Sequence, residues 1–138
     1  MSIIDAGFDR DSAAVPRCVG EDQEVKLFSV WCPLVLAQAK KRIPPQIESR
    51  SIVIQMDRIG PGEHVDHLRP DRLGHLVDLN RRCVRWVADH LAELKAADPT
   101  MPAGLRSRRI DKWRGLLAIA DRVGGEWPEI ARKAAVAL

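Results

Sequence analysis

From Asp71 to Leu94 the apolar residues Leu73, Leu76, Val77, Val84, Val87, Leu91 and Leu94 recur three, four and seven apart. That spacing lines one face of a long amphipathic α-helix. After a loop over 98–104 that contains Pro99 and Pro102, the stripe resumes between Leu105 and Val123 with Ile110, Trp113, Leu116, Leu117 and Ala120. It stops at Gly124-Gly125, residues suited to the left-handed backbone of a helix C-cap. Glu126-Trp127-Pro128 starts a third helix, with Ile130, Ala131, Ala134 and Leu138 expected to face inward.

The first sixty residues follow another rhythm. Ala14–Val19 and Val25–Trp31 are β-favouring runs on either side of Gly20, Glu21 and Asp22, which predicts a hairpin. Pro33 opens a short helix predicted over Leu34–Lys41, because proline suits a first helical position. Pro44 and Pro45 end it and begin a further turn through Ile47 and Ser49. Ser51–Asp57 carries Ile52, Val53, Ile54 and Met56, so it is apolar on both faces and predicts an interior strand. An interior strand needs neighbours on both sides, and one hairpin cannot supply them. Part of the sheet is therefore expected from elsewhere. The expected fold is α+β, mainly α: a short N-terminal β-hairpin and strand, then a three-helix bundle. Gly60-Pro61-Gly62 is the strongest breaker, which sets expected domains of 1–60 and 61–138.

Composition adjusts this picture modestly. The 138 residues are 46% hydrophobic and 30% charged, enough for one domain with a core and a soluble surface. Trp86, Trp113 and Trp127 are expected to fill that core. The net charge is +3, with sixteen Arg against six Lys; it permits a nucleic-acid partner without requiring one. Arg81, Arg82 and Arg85 cluster beside Trp86. They suit DNA phosphates, and equally suit the solvated face of a helix. Arg106, Arg108, Arg109, Lys112 and Arg114 form a second group.

Cys18, Cys32 and Cys83 are odd in number and lack a C-x-x-C spacing, the pattern of reduced thiols with packing roles. His64, His67, His75 and His90 do not make a four-ligand zinc spacing, so no metal is expected. No apolar run approaches the roughly 20 residues of a membrane span, and the first ten residues lack the regions of a secretory signal. A cytoplasmic location away from the membrane is the expectation. Neither G-x-S-x-G nor H-E-x-x-H occurs, and none of the nine glycines precedes a lysine. The phosphate loop of an ATPase needs that lysine and its glycine-rich backbone. No catalytic residue is assigned, no cofactor is expected, and ATP enters only where a partner supplies the loop.

Several longer segments carry a family likeness. They are A-G-F-D-R with V-P-R (Ala6, Gly7, Arg10, Val15, Arg17), F-S-V-W-C-P-L-V-L-A (Phe28, Pro33, Ala37), I-P-P-Q-I-E-S-R-S-I-V-I-Q-M (Pro44, Arg50, Ser51, Ile52), and the C-terminal run around Trp113, Arg114, Asp121, Gly125, Trp127 and Pro128. From about Asp5 to Leu138 the chain resembles an uncharacterised domain of phage, plasmid and integrated-element proteins. In that family the domain closes a P-loop, AAA+-like ATPase region, often downstream of primase-like replication modules. The resemblance implies a lid-like role for the helices and a partner that holds the P-loop, or self-association through the exposed strand. Departures accompany it. Asp5 and Lys112 stand where the family usually has asparagine, Cys32 and Gln38 where it has glycine, and Gly115 where it has proline. I-P-P-Q replaces L-P-D-T. The resemblance with these departures implies a truncated or split derivative.

Within that resemblance, Arg50, at a helix-to-strand junction, takes the place of an arginine finger, whose guanidinium binds two γ-phosphoryl oxygens of a neighbouring subunit. Read from the residues alone, a surface ion pair with Glu48 or Asp57 is the favoured role, and the resemblance brings the finger level with it. Arg108 matches the family's lid arginine and Arg114 follows the same logic, whereas Asp111 and Asp121 offer each a local partner. The alternative from another class is an autonomous basic helical adaptor that binds DNA or a replication protein.

Overall fold

The computed structural model describes residues 3–39 and 43–138, without the side chains of Ile3 and Asp5. The elements in chain order are α1 (Ile3–Ala6), β1 (Ala14–Val19), β2 (Glu24–Ser29), α2 (Pro45–Ser49), α3 (Gly74–Ala96), α4 (Arg108–Val123) and α5 (Trp127–Ala137), with a 3-10 turn at Pro70–Arg72 before α3. The chain is α+β and mainly α, a hairpin followed by three helices. It divides into two compact units: 1–53 with 106–112, and 54–105 with 113–138.

In the first unit β1 and β2 pair antiparallel from Ala14↔Ser29 to Val19↔Glu24. Gly20, at φ +79°, takes the left-handed conformation that the connecting turn needs. Alternation puts Pro16, Cys18, Val25 and Leu27 on one side of the ribbon. Val25 and Leu27 there are 68% and 72% exposed. On the other side Arg17 lies directly opposite Lys26, a like-charge pairing that weakens the ladder. The short helix α1 touches both β1 and α2, and Ala6 and Ala13 are buried. Pro44 precedes α2 and Pro45 occupies its first turn, where a missing N–H leaves nothing unsatisfied.

Two predicted elements do not form. Residues 31–38 are irregular rather than helical, and the end of the predicted Leu34–Lys41 helix lies outside the described residues. The predicted strand Ser51–Asp57 is irregular as well. A strand exists only where another strand completes its ladder, and among the described residues β1 and β2 pair only with each other. Ile54 and Met56 are accordingly exposed.

The second unit holds α3, α5 and α4 from Trp113 onward. Its core is small: Leu105, Trp113, Leu117, Ala118, Ala120 and Ala135 are buried, with Leu117 wholly so. Gly124 at φ +75° and Gly125 at φ +60° end α4 as the sequence predicts. The α3 stripe meets a different fate. No residue of α3 is buried, and Leu76, Val77, Val84, Val87 and Leu91 are all exposed. Of the tryptophans expected in the core, Trp113 is buried, Trp86 is half-buried against His90 in an edge-on ring contact of 4.8 Å, and Trp127 is 59% exposed. In α5 the buried residue is Ala135, while Ile130 and Leu138 are exposed.

Candidate functional site: two sets of cations

The arginines of the second unit are engaged by carboxylates. Arg132 grips Asp121 with both terminal nitrogens, at 2.6 and 2.9 Å, and also donates to Thr100 O and Pro128 O at 3.3 and 3.1 Å. Arg122 meets Glu93 at 2.6 Å and His90 Nδ1 at 3.0 Å. Arg114 meets Asp98 at 2.5 Å. Glu93, Asp98, Asp121 and Arg122 line one cleft of about 320 Å³ together with Leu94, Ala97, Pro99 and Ala118. Each carboxylate in it already has an arginine, so the cleft is a set of structural clamps. The Arg132 hydrogen bond holds the Asp121 carboxyl below its ordinary 3.8.

On α3, Arg81 pairs with Asp78 at 3.2 Å and Arg85 with Asp89 at 2.9 Å, one turn apart in each case. Exposed pairs of this kind stabilise weakly. Arg82 makes no ion pair among the described residues. The three arginines share a shallow exposed surface with Trp86 and Asp89, so the sequence-predicted group is physically contiguous.

The first unit gathers its cations differently. The α2 end and the start of α4 come together: Arg108 Nη1 reaches Ser49 Oγ at 3.5 Å, and Lys112 Nζ donates to Ser51 O at 2.7 Å. Arg50, the C-cap of α2, donates from Nη1 to Gln46 O at 3.1 Å. Its guanidinium lies 5.6 Å from the centre of the Phe8 ring, a cation–π contact. Ser49 Oγ donates to Gln46 O at 2.9 Å and Ser51 Oγ to Ile47 O at 2.8 Å, which fixes both serines on the last turn of α2. Burial, reinforced by the charge of Arg109, lowers the Lys112 pKa from its ordinary 10.5.

Of the three arginines assigned to nucleotide by resemblance, Arg108 reaches Ser49, the residue before Arg50, while the Arg50 side chain turns to Gln46 O and the Phe8 ring. Arg108 reaches Ser49 rather than Asp111. Arg114 is held by Asp98 instead of Asp121, which Arg132 occupies. Lys112 enters the sequence reading as one of the second cation group and as a departure from the family, without a site role; its i,i+4 spacing from Arg108 is the signal for one. Among the described residues no group of three His, Cys, Asp or Glu side chains is arranged to hold a metal ion. No helix among them is long and apolar enough to cross a membrane.

What these features define is a small α+β protein with a cation-rich helix junction and a clamped helical unit. The chain belongs to the family described as "Protein of unknown function (DUF3631)", whose profile matches residues 55–138. It is also similar to the "Uncharacterized 28.9 kDa protein in xis 5'region" of Saccharopolyspora erythraea, with 42% identity over 85 residues. That match covers 60% of this chain and 31% of the relative, so the aligned part spans about a third of the relative's length. No solved structure matches the chain.

Proposed function

We propose that the chain is the C-terminal, lid-like part of a mobile-element replication ATPase of the primase-helicase kind, acting with a P-loop partner that binds the nucleotide. It has no catalytic role alone and contributes arginines to the partner's nucleotide. The observation that carries this reading is that Arg108 reaches Ser49, the residue before Arg50, from 59 residues along the chain. A planar guanidinium such as that of Arg108 or Arg50 can bind γ-phosphoryl oxygens as charge develops there. An arginine supplied to a neighbouring subunit can accelerate transfer by roughly 10³-fold or more. Arg114 is paired with Asp98 in the second unit and carries no part of this observation. The exposed Ile54 and Met56 give the partner an apolar surface to cover. The description of the relative as lying in an xis 5' region supports the mobile-element part of this reading.

The test is to purify the chain alone and with the product of the gene immediately upstream. The chain alone gives no ATP hydrolysis, and the pair gives turnover that falls at least about a hundredfold with Arg50→Ala. Turnover by the isolated chain that survives a contaminant control sinks the reading, as does an upstream product without a phosphate loop.

A second reading, a basic helical adaptor for DNA, draws on the contiguous surface of Arg81, Arg82, Arg85 and Trp86. It requires duplex or single-strand affinity that falls steeply with salt. Binding unchanged by Arg81→Ala with Arg85→Ala removes it.

A further inference from the structure

Arg108 and Lys112 stand four residues apart at the start of α4, so they share one helical face, where like charges repel. Arg109 adds a third positive charge to the same turn. Elsewhere the pattern is opposite: Arg69, Arg81, Arg85, Arg114, Arg122 and Arg132 each meet a carboxylate. Arg108 and Lys112 are instead held on a serine hydroxyl and a backbone carbonyl at the end of α2. Among the described residues neither has a carboxylate within ion-pair distance. Two neutral acceptors from 59 and 61 residues away fix the pair's spacing without neutralising it.

We infer that Arg108 and Lys112 form an anion site for a polyphosphate tail, which the chain binds without a P-loop partner. The inference rests on the reading above for the nucleotide as the natural source of that tail, and it adds Lys112, which that reading does not use. Arg108 offers a planar fork to two oxygens of one phosphoryl group, and Lys112 a point charge to the next. Ser49 positions Arg108 and Ser51 O positions Lys112. The bound anion offsets the repulsion among Arg108, Arg109 and Lys112, and its charge returns the Lys112 ammonium toward its ordinary acidity.

The experiment is calorimetric titration of the full 138-residue chain at low salt with inorganic tripolyphosphate and, in a parallel arm, with ATP. Both ligands bind saturably at one site. Comparable affinities point to recognition of the phosphates alone, and tighter ATP binding to a contribution from the nucleoside; either supports the site. Arg108→Ala and Lys112→Ala each weaken tripolyphosphate about tenfold or more, whereas Lys112→Arg stays close to the parent. Lys133→Ala, the same charge change at a residue paired with Glu129, leaves binding unaltered. If Lys112→Ala does not fold by circular dichroism, Lys112→Gln replaces it. The site is overturned by absence of saturable binding, by equal weakening in Lys133→Ala, or by loss that follows Arg81→Ala and Arg85→Ala instead. A chain that binds tripolyphosphate but stimulates no partner keeps the site and loses the ATPase reading. Partner stimulation indifferent to Lys112→Ala does the reverse.

Discussion

Arg132 on α5 holds Asp121 on α4 through two hydrogen bonds of 2.6 and 2.9 Å, and the same guanidinium reaches Thr100 O in the loop before α4. One side chain therefore ties together three segments of a unit whose few buried hydrophobic residues are half alanine. Its fork geometry matters, because lysine cannot make both bonds. Both side chains remain about a third exposed or less, so solvent screens the pair in part. We expect Arg132→Lys and Arg132→Ala each to lower stability by about 1 kcal/mol. Urea unfolding followed by circular dichroism measures this, and a change within error removes the clamp.

Asp121 also makes the unit acid-sensitive. Its folded pKa lies below the ordinary 3.8, so between the two values the unfolded chain binds more protons than the folded one. Stability from this group is complete above 3.8 and is lost as pH falls through the folded pKa. The unfolding midpoint should drop in the parent chain as pH falls below about 4. In Arg132→Ala this component of the drop should disappear.

Lys112 acts in the opposite direction and at the other end of the scale. Its folded pKa is lowered from 10.5, so the ammonium is disfavoured in the fold throughout neutral pH. As pH rises through the folded pKa toward 10.5, the unfolded chain holds the extra proton and folding gains. Lys112→Gln abolishes that gain. Unfolding profiles of the two chains from pH 8 to about 10.5 show whether the slopes differ.

Leu117 is wholly buried, so its truncation removes buried contacts and leaves a cavity. Leu117→Ala should cost about 2–5 kcal/mol and convert the second unit's thermal transition to a broad one. Leu116→Ala, one residue away on the exposed side of α4, should change stability by about 0.5 kcal/mol or less. Equal effects at the two positions contradict the packing of α4.

Val25 and Leu27 project from one side of a two-stranded ribbon and are largely in water. A lone hairpin is marginal in water and its edges invite pairing. The chain should therefore associate at high concentration, and Val25→Thr with Leu27→Lys should suppress it. Sedimentation velocity of the two chains decides, with a concentration-independent parent as the contrary result.

The three long helices could be read from the sequence because their cause is local. The 98–104 loop with its two prolines, the Gly124-Gly125 stop and the Trp127-Pro128 start give α3, α4 and α5 within about three residues of Gly74–Ala96, Arg108–Val123 and Trp127–Ala137. The hairpin was equally local, with Gly20 at its turn. Ser51–Asp57 failed as a strand because its apolar pattern states only what the segment would bury if a neighbour existed. The same holds for the α3 stripe, whose period is correct and whose face is uncovered.

At the candidate site, Arg50, Arg108 and Arg114 were all visible as charges, and spacing along the chain offered each of them an acid close by. Tertiary structure decided Ser49 for Arg108, Asp98 for Arg114 and the Phe8 ring for Arg50, whose bond to Gln46 O one turn back is local. Periodicity, proline and glycine thus determined where this chain is helical or turns, since those depend on a few adjacent residues. Which cation meets which acceptor depends on segments tens of residues apart, and only packing brings those into reach.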